Sequence, residues 1–130
     1  MKKKILIIAG VFIGFFAAMI GIVFFSLTQN MKEILAIPIN EIDITTLDDG
    51  TYQGEYYFKD EIGATVDVII ENHNIISISF VDHKAGKGTI AEVIVDDMIN
   101  NQSVLVDDIS GATTSSHVIK LAVIDAVEEK

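Results

Sequence analysis

Between Ile5 and Leu27 the chain carries no charged residue: ILIIAGVFIGFFAAMIGIVFFSL is a single run of 23 apolar or small side chains. As a helix rising 1.5 Å per residue, such a run covers about 35 Å, against a hydrocarbon core of about 30 Å. A cleavable signal peptide is the competing reading. It needs an apolar stretch of about 7–15 residues and a small-x-small cleavage site, whereas here the stretch continues through Phe24-Phe25-Ser26-Leu27. Residues 5–27 are therefore read as an uncleaved transmembrane helix. Lys2, Lys3 and Lys4 on one flank face only Lys32 on the other. The positive-inside rule then keeps residues 1–4 in the cytoplasm and sends residues 30–130 outside the cell membrane, a single-pass arrangement. Gly10, Gly14 and Ala18 recur every fourth residue and Gly21 follows. This is either a stripe for close helix packing or the ordinary abundance of small residues in spanning helices.

Every one of the 19 acidic residues lies at Glu33 or beyond, and only six lysines lie past Lys4, so the external part has a formal charge of −13. So acidic a surface repels phosphate backbones, which argues against nucleic acid as a partner. With no cysteine, disulfides, thiolate metal sites, Cys nucleophiles and a lipidated Cys are all excluded. Fewer than 100 residues remain after the first 32, too few for a large multidomain enzyme.

Residues 28–48 hold the only proline, Pro38, and an interrupted apolar pattern, and are read as a stalk. From Asp49 the pattern changes. Asp48-Asp49-Gly50 is a turn signal and TYQGEYYF reads as a strand, with Gly54 as a candidate bulge. ATVDVIIE (64–71) and IISISFVD (75–82) flank Asn72-His73-Asn74 as a hairpin, and the alternation of Ile76, Ile78 and Phe80 with Ser77, Ser79 and Val81 predicts one buried face. TIAEVIVDDMINNQ switches to helical spacing, with Ile90, Val93, Ile94 and Met98 on one side and Thr89 and Glu92 as a capping box. VLV (104–106) reads as a short strand. HVIKLAVIDAVEE reads as a last helix capped by Ser115 or Ser116. Antiparallel strands, helix, strand and helix make residues 49–130 a small α+β domain behind the membrane helix.

The common catalytic constellations are poorly supported. His73, His83 and His117 lack metal-site spacing, and the Asp96-Asp97 pair reads as a solvated face. The concentrated feature is Ser110-Gly111-Ala112-Thr113-Thr114-Ser115-Ser116, five hydroxyls and one glycine in seven residues directly before a helix. Gly111 lets a ligand approach the backbone, hydroxyls donate hydrogen bonds and the helix start offers free N–H groups, a combination suited to phosphate. A Ser/Thr-rich loop and cap with no ligand is the alternative. HKAGKG gathers His83, Lys84 and Lys87 in an otherwise acidic domain, either to neutralise an anionic group or as a solvated basic loop. Tyr52, Tyr56, Tyr57 and Phe58 offer a stacking wall or plain core.

DDISGATTSS places Asp107, Ser110, Gly111, Ala112 and Thr113 at D-x-x-S-G-A-T spacing. This resembles the covalent flavinylation motif of the FMN-binding domain family, which includes flavin-bearing components of the sodium-pumping NADH:quinone oxidoreductase and of the Rnf complex. The resemblance extends over DGTYQG, the hairpin and the approach to the motif, essentially residues 49–130. It implies FMN as cofactor, joined through its phosphate to Thr113 by a flavin transferase, with Asp107 as a recognition residue. The chain is much shorter than those respiratory proteins. The resemblance thus implies an extracytoplasmic electron carrier served by a membrane-bound donor, quinone-linked or a dehydrogenase, rather than an enzyme with its own substrate. Two alternatives stand beside it: the flavin-bearing component of a reductase complex whose substrate site lies on a partner, and a flavin-free binding or structural module of the same fold.

Overall fold

In a computed structural model, the described residues are 1–128, without the side-chain surroundings of residues 86 and 87. The chain divides into two units, residues 1–33 and 34–130. The first is formed by helix α1 (Lys2–Leu35), whose last two residues belong to the second unit. It is long and apolar enough to cross a membrane, and its large side chains from Ile5 to Leu27 are exposed.

The second unit is built on an antiparallel sheet of β1 (Gly50–Phe58), β2 (Ile62–Glu71) and β3 (Asn74–Lys84), in that order. Both hairpins are tight. Lys59 and Asp60 turn the first with φ of 50° and 56°, and Asn72 and His73 turn the second with φ of 51° and 60°. Two consecutive left-handed residues give the twist that matches the strands they join. On β2, Ala64, Val66, Val68 and Ile70 are fully buried beneath helix α3 (Thr113–Glu128), which lies across β1 and β2. Gly54 explains how closely α3 rests on the sheet: a Cβ there would sit 2.2 Å from the Ala126 nitrogen and 2.4 Å from the Ala122 oxygen. Gly54 is not a bulge; it pairs in register with Val66.

The bulges lie in β3 instead. Ile69 pairs with Ser77 and Ile70 with Ile75, leaving Ile76 over; Thr65 pairs with Asp82 and Val66 with Phe80, leaving Val81 over. Each extra residue shifts the pleat by one. Consequently Ile75 replaces Ile76 in the core, and Ile76 is half exposed. After β3 the chain runs through a 3-10 segment (Gly86–Val93) into the short helix α2 (Ile94–Asn101). The period of three buries Gly88, Ala91 and Ile94, after which Met98 follows at helical spacing. Ile90 and Val93, expected on the inner side, are exposed for the same reason. The expected capping box is absent too, since no side chain caps α2 and Glu92 bonds His83.

Two further expectations are corrected. Residues 104–106 join no ladder, although Val104 is fully buried. The segment read as a stalk contributes Ile34, Ile42, Ile44 and Leu47 to the core. His117 Nε2 lies 2.7 Å from the Ile37 carbonyl oxygen, and Ser103 donates to Glu41, so residues 34–47 clasp the far side of α3 and the end of α2. Gln102, left-handed at φ 52°, closes α2 and uses its amide to bond both the N–H and the carbonyl of Ile75. That fixes α2 to the free edge of β3.

Candidate functional site

The loop Asp107–Ala112 enters α3 through a turn in which the Ala112 N–H bonds the Ile109 carbonyl at 2.9 Å. Gly111 takes φ of 79°, a left-handed conformation that glycine adopts without a Cβ clash. Neither Ser115 nor Ser116 caps the helix, because α3 already begins at Thr113 and both serines are buried within its first turns. Ser116 nevertheless holds the loop: its Oγ accepts from the Ile109 N–H and donates to the Ala112 carbonyl, both at 2.9 Å. Lys120, one turn on, reaches back from an almost wholly buried position. Its ammonium donates to the Val106 carbonyl at 2.5 Å and to Asp108 Oδ1 at 2.7 Å. A lone lysine in the apolar run HVIKLAVIDAV is the sequence signal for this role, and the motif spacing alone passes over it.

The result is a pinned loop with an open tip. Asp107, Ser110, Gly111 and Thr113 are exposed, while Ala112 is buried beneath them. The N–H groups of Thr113, Thr114 and Ser115 precede the first main-chain bond of α3, made by the Ser116 N–H to the Ala112 carbonyl. The loop tip therefore offers first-turn N–H groups and the positive end of a 16-residue helix, an arrangement that could hold a phosphate.

The basic loop is only partly brought to this place. The 3-10 segment touches α3 at Gly88, where a Cβ would sit 2.0 Å from Ser115 Oγ. His83 is turned to the inner face by the bulge at Val81. Its side chain is 4% exposed, its ring stacks on Phe80 at 5.2 Å between centroids, and its Nδ1 lies 2.8 Å from Glu92 Oε1. It is thus a buried ring hydrogen-bonded into the wall rather than a free surface cation. Lys84 points to the opposite face of the sheet, its ammonium 5.4 Å from the Tyr57 ring centroid. The side chain of Lys87 lies outside the described residues. Of the aromatic residues, Tyr52, Tyr56 and Phe58 pack on the core. Tyr57 donates to Asp82 Oδ2 at 2.6 Å on the outer face, and burial, with that bond second, pushes its hydroxyl above the ordinary phenol range.

Two buried polar atoms have no hydrogen-bond partner among the described residues, His83 Nε2 and Thr114 Oγ1. Thr114 is in the first turn of α3, and His83 is held by the 3-10 segment that packs against that turn. Orphaned donors and acceptors beside a helix start and an open hydroxyl fit a phosphate-bearing ligand with further polar groups.

The family model of the FMN-binding domain matches residues 58–128, from the end of β1 through the last residue of α3. Comparisons with curated proteins and with solved structures gave no match. The matched segment spans more than half of the chain and contains the loop, the helix start and the basic segment together. The chain belongs to the FMN-binding domain family, and FMN is its cofactor.

Proposed function

We propose that the protein is a single-pass, membrane-anchored electron carrier whose domain lies outside the cytoplasm and whose FMN is esterified through its phosphate to Thr113. The observation that carries this reading is the presentation of Thr113: exposed, at the first position of α3, on a loop that Ser116 and Lys120 pin from beneath. Thr113 Oγ1 would hold the phosphate, the first-turn N–H groups would take its remaining charge, and Gly111 leaves room for the approach. Esterification makes the phosphate a diester with one negative charge, which is easier to place on so acidic a domain. FMN supplies the redox chemistry; the protein positions it and sets its surroundings. A covalent tether keeps the site filled where free cofactor is scarce and mass action would empty it. A flavin transferase would install the group from an activated flavin donor: the Thr113 hydroxyl attacks the flavin phosphate and loses its proton, the donor's phosphoanhydride bond breaks, and its second phosphate leaves. A membrane-bound donor, quinone-linked or a dehydrogenase, then delivers electrons.

Thr113→Val tests the attachment. It removes the ester-forming oxygen and keeps a branched side chain of similar volume at an exposed position, so the fold should persist. Intact mass of the full chain co-produced with a flavin transferase is expected to show one FMN on the wild type and none on the variant. Peptide mapping that places flavin on Thr114 or Ser110, or undiminished flavin fluorescence from the denatured variant, would overturn the assignment.

A further inference from the structure

His83 is held on two sides, and its second ring nitrogen is buried without a partner among the described residues. Phe80 stacks against its ring at an interplanar angle of 20°, and Glu92 fixes Nδ1. An ionised carboxylate only accepts, so the proton between them sits on Nδ1, and in the neutral form of the ring Nε2 is left as an acceptor. That acceptor is buried and unpaired among the described residues, and the ring cannot turn to satisfy it without giving up Glu92. Buried acceptors in folded proteins find a partner in protein, water or ligand. The segment beside His83 is Ala85-Gly86-Lys87-Gly88, and it meets the motif helix at the Gly88–Ser115 contact, one residue from the second orphan, Thr114 Oγ1.

We propose that His83, set in its tautomer by Glu92, is a positioning residue that accepts a hydrogen bond from the flavin. The inference rests on the reading that FMN is tethered at Thr113. The chemistry of the acceptor narrows the contact. The oxidised flavin ring offers acceptors at N1, N5 and its two carbonyl oxygens, and one donor, N3–H; the ribityl chain adds hydroxyl donors. Nε2 therefore selects N3–H or a ribityl hydroxyl over the rest of the cofactor. Thr114, whose hydroxyl both donates and accepts, can take a neighbouring group of either kind. His83 thus acts as a wall of the flavin seat through an uncharged nitrogen, and the charge of Glu92 serves to orient it.

The test compares the full chain produced with and without a flavin transferase, in mildly alkaline buffer, by ¹⁵N magnetic resonance of the imidazoles, with intact mass reporting attachment. Nδ1 of His83 is expected to stay protonated in both forms, and its Nε2 resonance to move upfield when flavin is attached. This comparison uses the native side chain, so it does not depend on any variant folding. His83→Phe, which keeps the stack on Phe80, then identifies the donor. A change in the flavin ¹⁵N3 resonance in that variant marks N3–H, and an unchanged one, with Nε2 still moved in the wild type, marks a ribityl hydroxyl. An Nε2 resonance that is the same in both forms of the wild type overturns the proposal and assigns the nitrogen to a water. A mass that shows no attached flavin overturns the tethering reading itself, so the two failures are distinguished.

Discussion

Lys120 is the residue on which the geometry of the motif loop depends most. Its stem lies in the core and its ammonium ends on Val106 and Asp108, the stretch that leads into Ser110 and Gly111. Lys120→Met keeps the stem and removes the donor, leaving the Val106 carbonyl without its partner; Asp108 is partly exposed and returns to water. A loss of about 1–3 kcal/mol is expected, as for one buried group left unpaired. Thermal unfolding of the detergent-solubilised chain, followed by circular dichroism, measures it, and slower flavin attachment should accompany it. Gly88 provides a second residue-scale case. Its missing Cβ would lie 2.0 Å from Ser115 Oγ and 2.8 Å from Ser115 Cβ, so Gly88→Ala must displace the 3-10 segment or the helix start. Overpacking of this kind costs about 1–3 kcal/mol. Ser115→Ala in the same background removes the nearer atom and should recover part of the loss, a coupling that a double-mutant cycle on the same unfolding transition reads directly.

Among the elements, legibility in the sequence follows the strength of each periodic signal. The run ATVDVIIE alternates cleanly, and β2 buries the residues that its alternation names. The motif helix is equally plain, apart from its start. The failures occur where a local departure from regularity changes the count. One extra residue at Ile76 swaps which isoleucine is inside, and nothing in IISISF marks a bulge. A 3-10 segment in place of a helix moves Ile90 and Val93 outward, because its buried positions recur every three residues. Thr89 and Glu92 have the spacing of a cap, but the carboxylate finds a nearer use on His83 across the fold, which spacing along the chain does not encode. In the site, Thr113, Ser110 and Gly111 are legible from the motif; Lys120 and Glu92 are not, since their partners lie 14 and 9 residues away in sequence. On the outer face of the sheet, Tyr57 binds the strands together through Asp82 and Thr65. Its hydroxyl is held above the ordinary phenol range by burial first and the Asp82 bond second, so the fold favours the neutral form. That contribution is complete below the unfolded phenol value and is lost as pH rises through the higher folded one. Tyr57→Phe should therefore flatten the alkaline limb of the unfolding profile; an unchanged limb would show that Tyr57 has no part in it.

For the whole molecule, the three lysines that open α1 and the acidic residues from Glu33 onward set the expected topology. An enzyme reporter fused after Lys130 should be active only when it folds outside the cytoplasm, and protease added to cells stripped of their wall should reach residues 30–130. Protection of that region in intact cells would reverse the arrangement. The burial of α3 adds a condition on timing. Every residue from Ser115 to Ile124 is interior, and Gly111, Ser116 and Lys120 take their places only against the sheet and the segments that clasp it. An unfolded chain carries the letters of the motif without its shape. Under the proposed attachment at Thr113, tethering would work as an inspection, in which a chain takes its colour only after its core has closed, and a pale fraction in a preparation would count the molecules that have not yet folded.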